Sequence, residues 1–101
     1  MTIQVHAPFP VYEHLQGLID EKVGKLETYF DRIHAAEVFF KEEENRSFQS
    51  PNGKVVEIKI EVPGQVLYAD DNTDNFEKSL AGAAEKIRRQ LKKYKENLLH
   101  H

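Results

Sequence analysis

From Lys86 to Lys95 the chain carries six cations (Lys86, Arg88, Arg89, Lys92, Lys93 and Lys95) and no anion. Guanidinium and ammonium groups at this density are the chemistry that meets phosphates, the guanidinium as a fork and the ammonium as a point charge. The formal net charge of −3 would argue against a polyanionic partner. Its distribution argues the other way. Residues 1–76 hold 7 basic and 14 acidic side chains, a net of −7, whereas residues 77–101 hold 7 basic and 3 acidic ones, a net of +4. A polyanion feels the field within about one Debye length, roughly 8 Å at physiological salt, so the local excess outweighs the sum.

Other reactive residue types do not assemble into a site. The five histidines, His6, His14, His34, His100 and His101, show no metal-ligand spacing with carboxylates. Ser47, Ser50 and Ser79 lack the strand-turn-helix elbow of a nucleophile. Asp70, Asp71 and Asp74 do not match a calcium loop and read better as the start of a helix, with Thr73 or Asp74 as the cap. The glycines are scattered, so no phosphate-cradling loop exists. With no cysteine, disulfides and thiolate metal sites are excluded. No stretch approaches the roughly 20 apolar residues of a membrane span, and the N-terminus lacks a signal-peptide pattern. The expectation is a soluble cytoplasmic protein with no membrane partner, forming one domain over 1–101.

The elements that must carry the cations follow from periodicity. Ile3 and Val5 alternate within a short strand, Thr2 to His6. Val11, Leu15, Leu18, Ile19, Val23, Leu26, Phe30 and Ile33 then recur at three- and four-residue steps, predicting a helix of about five turns. Gly24 lies inside it at a cost of roughly 1 kcal/mol, which a close packing contact would explain. A second strand spans Ala36 to Lys41, and the polar Glu42 to Gly53 loop ends in an Asn52-Gly53 turn. Lys54 to Val62 alternate cleanly, so that strand has one wet face. Pro63-Gly64 turns the chain into a fourth strand, Gln65 to Ala69. Phe76, Leu80, Ala83, Ala84, Ile87, Leu91, Tyr94 and Leu98 mark a long final helix. The predicted fold is α+β in the order β-α-β-β-β-α: a four-stranded mixed sheet, its first pair joined by a parallel crossover, with both helices on one face.

On a wheel with Phe76 at zero, the apolar stripe of the last helix centres near about 30°. Lys86, Arg89 and Lys93 fall at about 220–280°, with Gly82 beside them, and Arg88, Lys92 and Lys95 at about 100–160°. Cations thus flank an apolar spine on both sides. In the first helix Lys25 sits at the edge of the stripe. Lys22 lies so close to its centre that its stem must run over apolar neighbours towards the other helix. The solvated-face reading stands beside the phosphate-binding one, since cations near a helix C-terminus also suit the macrodipole. Six cations without a balancing anion favour function, because ordinary exposed faces mix signs to gain i,i+4 pairs.

KLETYFDRI (Lys25 to Ile33), the PNG turn and EKIRRQLKKYKE (Glu85 to Glu96) together resemble the ribosome hibernation-promoting factor and ribosome-associated inhibitor family in its short form. The likeness covers nearly the whole chain. It implies a plan related to double-stranded RNA-binding domains. It also implies binding to the small ribosomal subunit and its RNA near the decoding centre, inhibition of translation, and an association with paired idle ribosomes. The family's RNA-facing cations fall at Lys22 and Lys25 and at Lys86, Arg89, Lys93 and Lys95; the charge run adds Arg88 and Lys92. No enzyme activity, cofactor or small-molecule substrate is implied. The dimerisation domain of long members has no room in 101 residues. Two departures stand out: Ser79, Leu80 and Ala81 replace a stretch that usually ends in aspartate, and the Glu42–Gly53 loop is acidic. Two other functions fit the same cations, namely a non-ribosomal RNA-binding domain and a protein-interaction module docking an acidic partner through the last helix.

Overall fold

The alternation of the third strand governs the architecture. In the computed structural model, which describes residues 1–43 and 53–99, the chain forms β1 (Thr2–His6), α1 (Glu13–Lys22), a 3₁₀ turn (Gly24–Thr28), β2 (Ala35–Glu42), β3 (Lys54–Val62), β4 (Gln65–Thr73) and α2 (Phe76–Leu99). The sheet order is β1-β2-β3-β4, with β1 parallel to β2 and the later pairs antiparallel. Register aligns the apolar residues in rows across all four strands. Val5, Val38, Ile58 and Ala69 form one row, and Ile3, Ala36, Ile60 and Leu67 the next. These rows pack against Leu15, Ile19, Val23 and Leu26 from the first helical segment and Leu80, Ala83, Ile87 and Leu91 from α2 in one core. Burying a leucine or isoleucine stabilises by roughly 1.5–3 kcal/mol, so this layer is the main source of stability. Among the described residues the opposite face carries no helix, and its rows are polar and aromatic: Gln4, Glu37, Lys59, Tyr68, then His6, Phe39, Glu57, Asp70. Val55 is the exception, buried although it points away from the core cluster.

The expected five-turn first helix is shorter. Regular α-helix ends at Lys22, the 3₁₀ turn follows, and Phe30 and Ile33 reach the core from non-helical chain. The apolar spacing is therefore met by two different backbones. Gly24 opens the 3₁₀ turn, and a Cβ there would touch nothing within 4 Å, so close packing is not its reason. Thr28 Oγ1 donates to the Lys25 carbonyl at 2.7 Å, a local bond that competes with helix continuation. The first strands sit as predicted to within a residue. β4 runs further than expected: Asp70 to Thr73 pair with Glu57 to Lys54 instead of starting a helix. The cap falls to Asn75, whose Oδ1 accepts the Lys78 N–H at 2.8 Å. Gly64 turns the β3–β4 hairpin at φ +83°, where an L side chain would be strained. The Asn52 half of the other predicted turn and the acidic stretch after Glu43 lie outside the described residues, as do His100 and His101.

Two side chains of α2 close the free edge of β4. Lys86 Nζ donates to the Asp70 carbonyl at 2.8 Å and Gln90 Nε2 to the Tyr68 carbonyl at 2.7 Å. Such capping blunts an edge strand that would otherwise recruit another chain. No helix among the described residues is long and apolar enough to cross a membrane.

Candidate nucleic-acid interface

The packing of α2 on the sheet decides where its cations go. One flank of the helix faces β4. There Lys86 is held by the Asp70 carbonyl and lies 3.6 Å from the Asp71 carboxylate, which also occupies the space beside Gly82. A Cβ on Gly82 would fall 1.7 Å from Asp71 Oδ2, so this glycine serves the approach of β4 to α2 and does not expose bare backbone to a ligand. The other flank faces α1 and the 3₁₀ turn. Lys95 Nζ donates to the Tyr29 carbonyl at 3.1 Å, and the Arg88 guanidinium lies 5.9 Å from the Tyr29 ring centroid. Lys22 and Lys25 line the same inter-helix groove as Arg88.

The run is not free of counter-charge. Glu85, just before it, accepts from Arg88 Nε at 3.0 Å and Nη2 at 2.6 Å, and Arg89 Nε lies 3.4 Å from the same carboxylate. The hydrogen bonds from Arg88 hold the Glu85 carboxyl below its usual range, and the reciprocal bonds raise Arg88 further. Lys92 and Lys93 are exposed, and none of the ion pairs among the described residues includes them. The eight sequence-derived cations thus separate into three kinds. Lys22, Lys25 and Arg88 converge on the groove, joined at its end by Lys95. Lys92 and Lys93 stand open to solvent with the largely exposed Arg89, while Lys86 is engaged at the edge of β4.

Opposite charge gathers behind them. The bare sheet face presents Glu37, Glu57, Glu61 and Asp70 against Lys41 and Lys59, with Lys41 bound to Glu57 at 3.0 Å and His6 to Glu37 at 3.0 Å. Positive charge is therefore concentrated on α2, which carries seven bases and three acids, whereas α1 and the open sheet face each hold an acidic excess. That orientation suits a surface that meets phosphates on one side only. No group of three or more histidines, aspartates or glutamates among the described residues could hold a metal ion.

Sequence reading missed Tyr29 and Glu85. Tyr29 stood off the apolar stripe of the expected first helix, and the only signal was an aromatic flanked by Lys25 and Arg32 in KLETYFDR. Glu85 stood one residue outside the charge run, yet its i,i+3 and i,i+4 spacing to Arg88 and Arg89 was legible. Ser79, noted as a departure, is fully buried and stitches α2 to the sheet: its Oγ accepts the Thr73 N–H at 3.0 Å and donates to the Lys54 carbonyl.

Two helices laid on one face of a mixed four-stranded sheet, with cations along α2, define an α+β domain of β-α-β-β-β-α plan. The chain belongs to the sigma 54 modulation protein / S30EA ribosomal protein family, whose model matches residues 2–99. It is 29% identical over 86 residues to the ribosome hibernation promoting factor of Pseudomonas putida, covering 85% of this chain and 78% of that one. It is 28% identical over 85 residues to the ribosome hibernation promotion factor of Deinococcus radiodurans, covering 84% of this chain but 44% of that protein, less than half its length. Among solved structures, a ribosomal subunit interface protein from Coxiella burnetii superposes with a TM-score of 0.78 at 24% identity, over 95% of this chain and 99% of that one. The N-terminal domain of Thermus thermophilus Protein Y gives 0.70 at 14% identity, over 92% and 94%. These two likenesses are of fold. The family resemblance carried by KLETYFDRI and EKIRRQLKKYKE is borne out.

Proposed function

We propose that this chain is a ribosome hibernation factor of the cytoplasm, docking on the small ribosomal subunit near the decoding centre through the cations of its helical side. Once seated, the domain inhibits translation by filling space that messenger and transfer RNA require. The observation that carries this reading is the concentration of cations on α2, in a chain matched by the family model over residues 2–99. Contacts from Lys22, Lys25, Arg88, Arg89, Lys92, Lys93 and Lys95 fix position without reading sequence, as in shape-based RNA recognition. Lys86 contributes when its bond to β4 is exchanged for a phosphate.

Cosedimentation with purified small subunits across a salt series tests this. About six phosphate contacts give a log–log slope of roughly −4 to −5. Reversing Lys92 and Lys93 to glutamate is expected to weaken binding at least about tenfold while leaving the thermal melt unchanged, since both are exposed. Reversing Lys86, Arg89 and Lys93 together is expected to abolish it. Undiminished binding by the triple variant would remove the cationic face from the mechanism. Partners that stay bound after ribonuclease treatment would point instead to an acidic protein on the same helix.

A further inference from the structure

We infer that the groove between the 3₁₀ turn and α2 seats a single unstacked nucleobase of the bound RNA, laid on the ring of Tyr29. The inference rests on the RNA-binding reading above and assigns a ligand to one part of that surface. The groove holds about 210 Å³. That is less than the roughly 300–1,000 Å³ of pockets for drug-sized ligands, and suits one flat ring system. Its floor is small and apolar, from Leu26, Ala81 and Ala84. Tyr29 forms a wall and is 39% exposed although its neighbour Phe30 is buried.

The backbone of Tyr29 is fixed at both its N–H and its carbonyl, and its ring lies under a cation. Its N–H donates to the Leu26 carbonyl at 3.0 Å, its carbonyl accepts from Lys95 at 3.1 Å, and the Arg88 guanidinium stands 5.9 Å from its ring centre. Arg88 is itself oriented by its two bonds to Glu85. An exposed aromatic ring together with a planar guanidinium is the kind of platform on which unstacked bases are held in single-stranded recognition.

The groove is lined by charges of both signs. Glu21 and Glu85 line it together with Lys22, Lys25 and Arg88. Arg88 is already engaged by Glu85, so a phosphate inside would meet the Glu21 carboxylate as well as the lysines, whereas a neutral base meets no charge repulsion and offers amino donors to Glu21. The flanking phosphates then fall to the flexible ammonium groups of Lys22 and Lys25.

The test compares affinities for purified small subunits, by cosedimentation, for Tyr29→Phe, Tyr29→Leu and Ala81→Leu. The first keeps the ring, the second removes it, and the third fills the groove from a good helix-forming position without touching Tyr29. Tyr29→Phe is expected to bind within about twofold of the unaltered chain. The other two are expected to bind about tenfold more weakly, with an unchanged salt slope, because stacking and not a phosphate contact is lost. Far-UV circular dichroism melts confirm that each variant folds. Three outcomes overturn the inference: Tyr29→Leu or Ala81→Leu binding as the unaltered chain does, Tyr29→Phe losing as much as Tyr29→Leu, or a slope that drops by about one unit. If any of these occurs while the Lys92 and Lys93 reversal still weakens binding, the groove assignment fails and the RNA-binding reading stands. If the unaltered chain does not bind subunits at all, it is the broader reading that fails.

Discussion

Arg88 grips Glu85, one turn earlier on α2, with one edge of its guanidinium, Nε to Oε2 at 3.0 Å and Nη2 to Oε1 at 2.6 Å. Arg89 reaches the same carboxylate at 3.4 Å. One anion thus occupies two of the cations that the sequence offers to phosphates. The pair also points Arg88 at Tyr29, so Glu85 both restrains the cationic face and shapes the groove.

Replacing Glu85 by glutamine removes this competitor. The variant is expected to bind small subunits about three- to tenfold more tightly at moderate salt, with a slope steeper by about one unit for each guanidinium that gains a phosphate. Equal or weaker binding in the salt series would mean that Glu85 acts by orienting Arg88 and not by competing for it. The folded carboxyl is lowered by the Arg88 bonds, so the pairing is present above the unfolded pKa and is lost as pH falls through the lowered folded value. From about pH 5 to about pH 8, binding should therefore show no step from Glu85.

Ser79 is the one buried polar side chain among the described residues, and it joins three segments. It lies 2.7 Å from Thr73 Oγ1, accepts from Thr73 N–H and donates to the Lys54 carbonyl. Ser79→Ala strips partners from buried backbone groups at the junction of β3, β4 and α2. The expected loss is about 1–3 kcal/mol in urea unfolding, with the m-value unchanged. A loss below about 0.5 kcal/mol would mean that water replaces the hydroxyl.

The open sheet face can be followed through Tyr68. Partial desolvation, then hydrogen bonding and charge from Glu57 and charge from Asp70, push its phenol up to about 12. The folded state keeps this proton longer than the unfolded chain, whose tyrosines titrate near about 10. Stability should therefore fall as pH rises from about 10 to about 12. In an alkaline titration of tyrosinate absorbance, Tyr68→Phe should remove the latest-titrating component, and Glu57→Gln should bring it to lower pH. A component unmoved by Glu57→Gln would separate Tyr68 from that carboxylate.

Tyr94 shows how a residue was legible for one role and not another. Its position on the apolar stripe of α2 followed from spacing, and it is buried with its ring edge-to-face against Phe30 at 5.3 Å. Its hydroxyl bond to the Pro63 carbonyl, 2.7 Å across the β3–β4 turn, carried no sequence signal because the partners are 31 residues apart. Gly82 is similar: the wheel put it among the cations, and only the approach of Asp71 explains the missing side chain.

Period-two and three-to-four-residue repeats were enough to set the element order, the faces of β1 and β3 and the buried stripe of α2, because burial follows the period of each element. The charge run and the KLETYFDRI pattern likewise lay in the residues themselves. What spacing leaves open is which backbone satisfies it, and tertiary structure chose a 3₁₀ turn for Gly24–Thr28 and ladder pairing for Asp70–Thr73 over the expected helical states. It also divided the cations, giving Lys86 to the edge of β4, Arg88 to Glu85 and Tyr29, and leaving Lys92 and Lys93 in solvent. A side chain's partners depend on segments far apart in sequence, and those meet only when the sheet and its two helices pack.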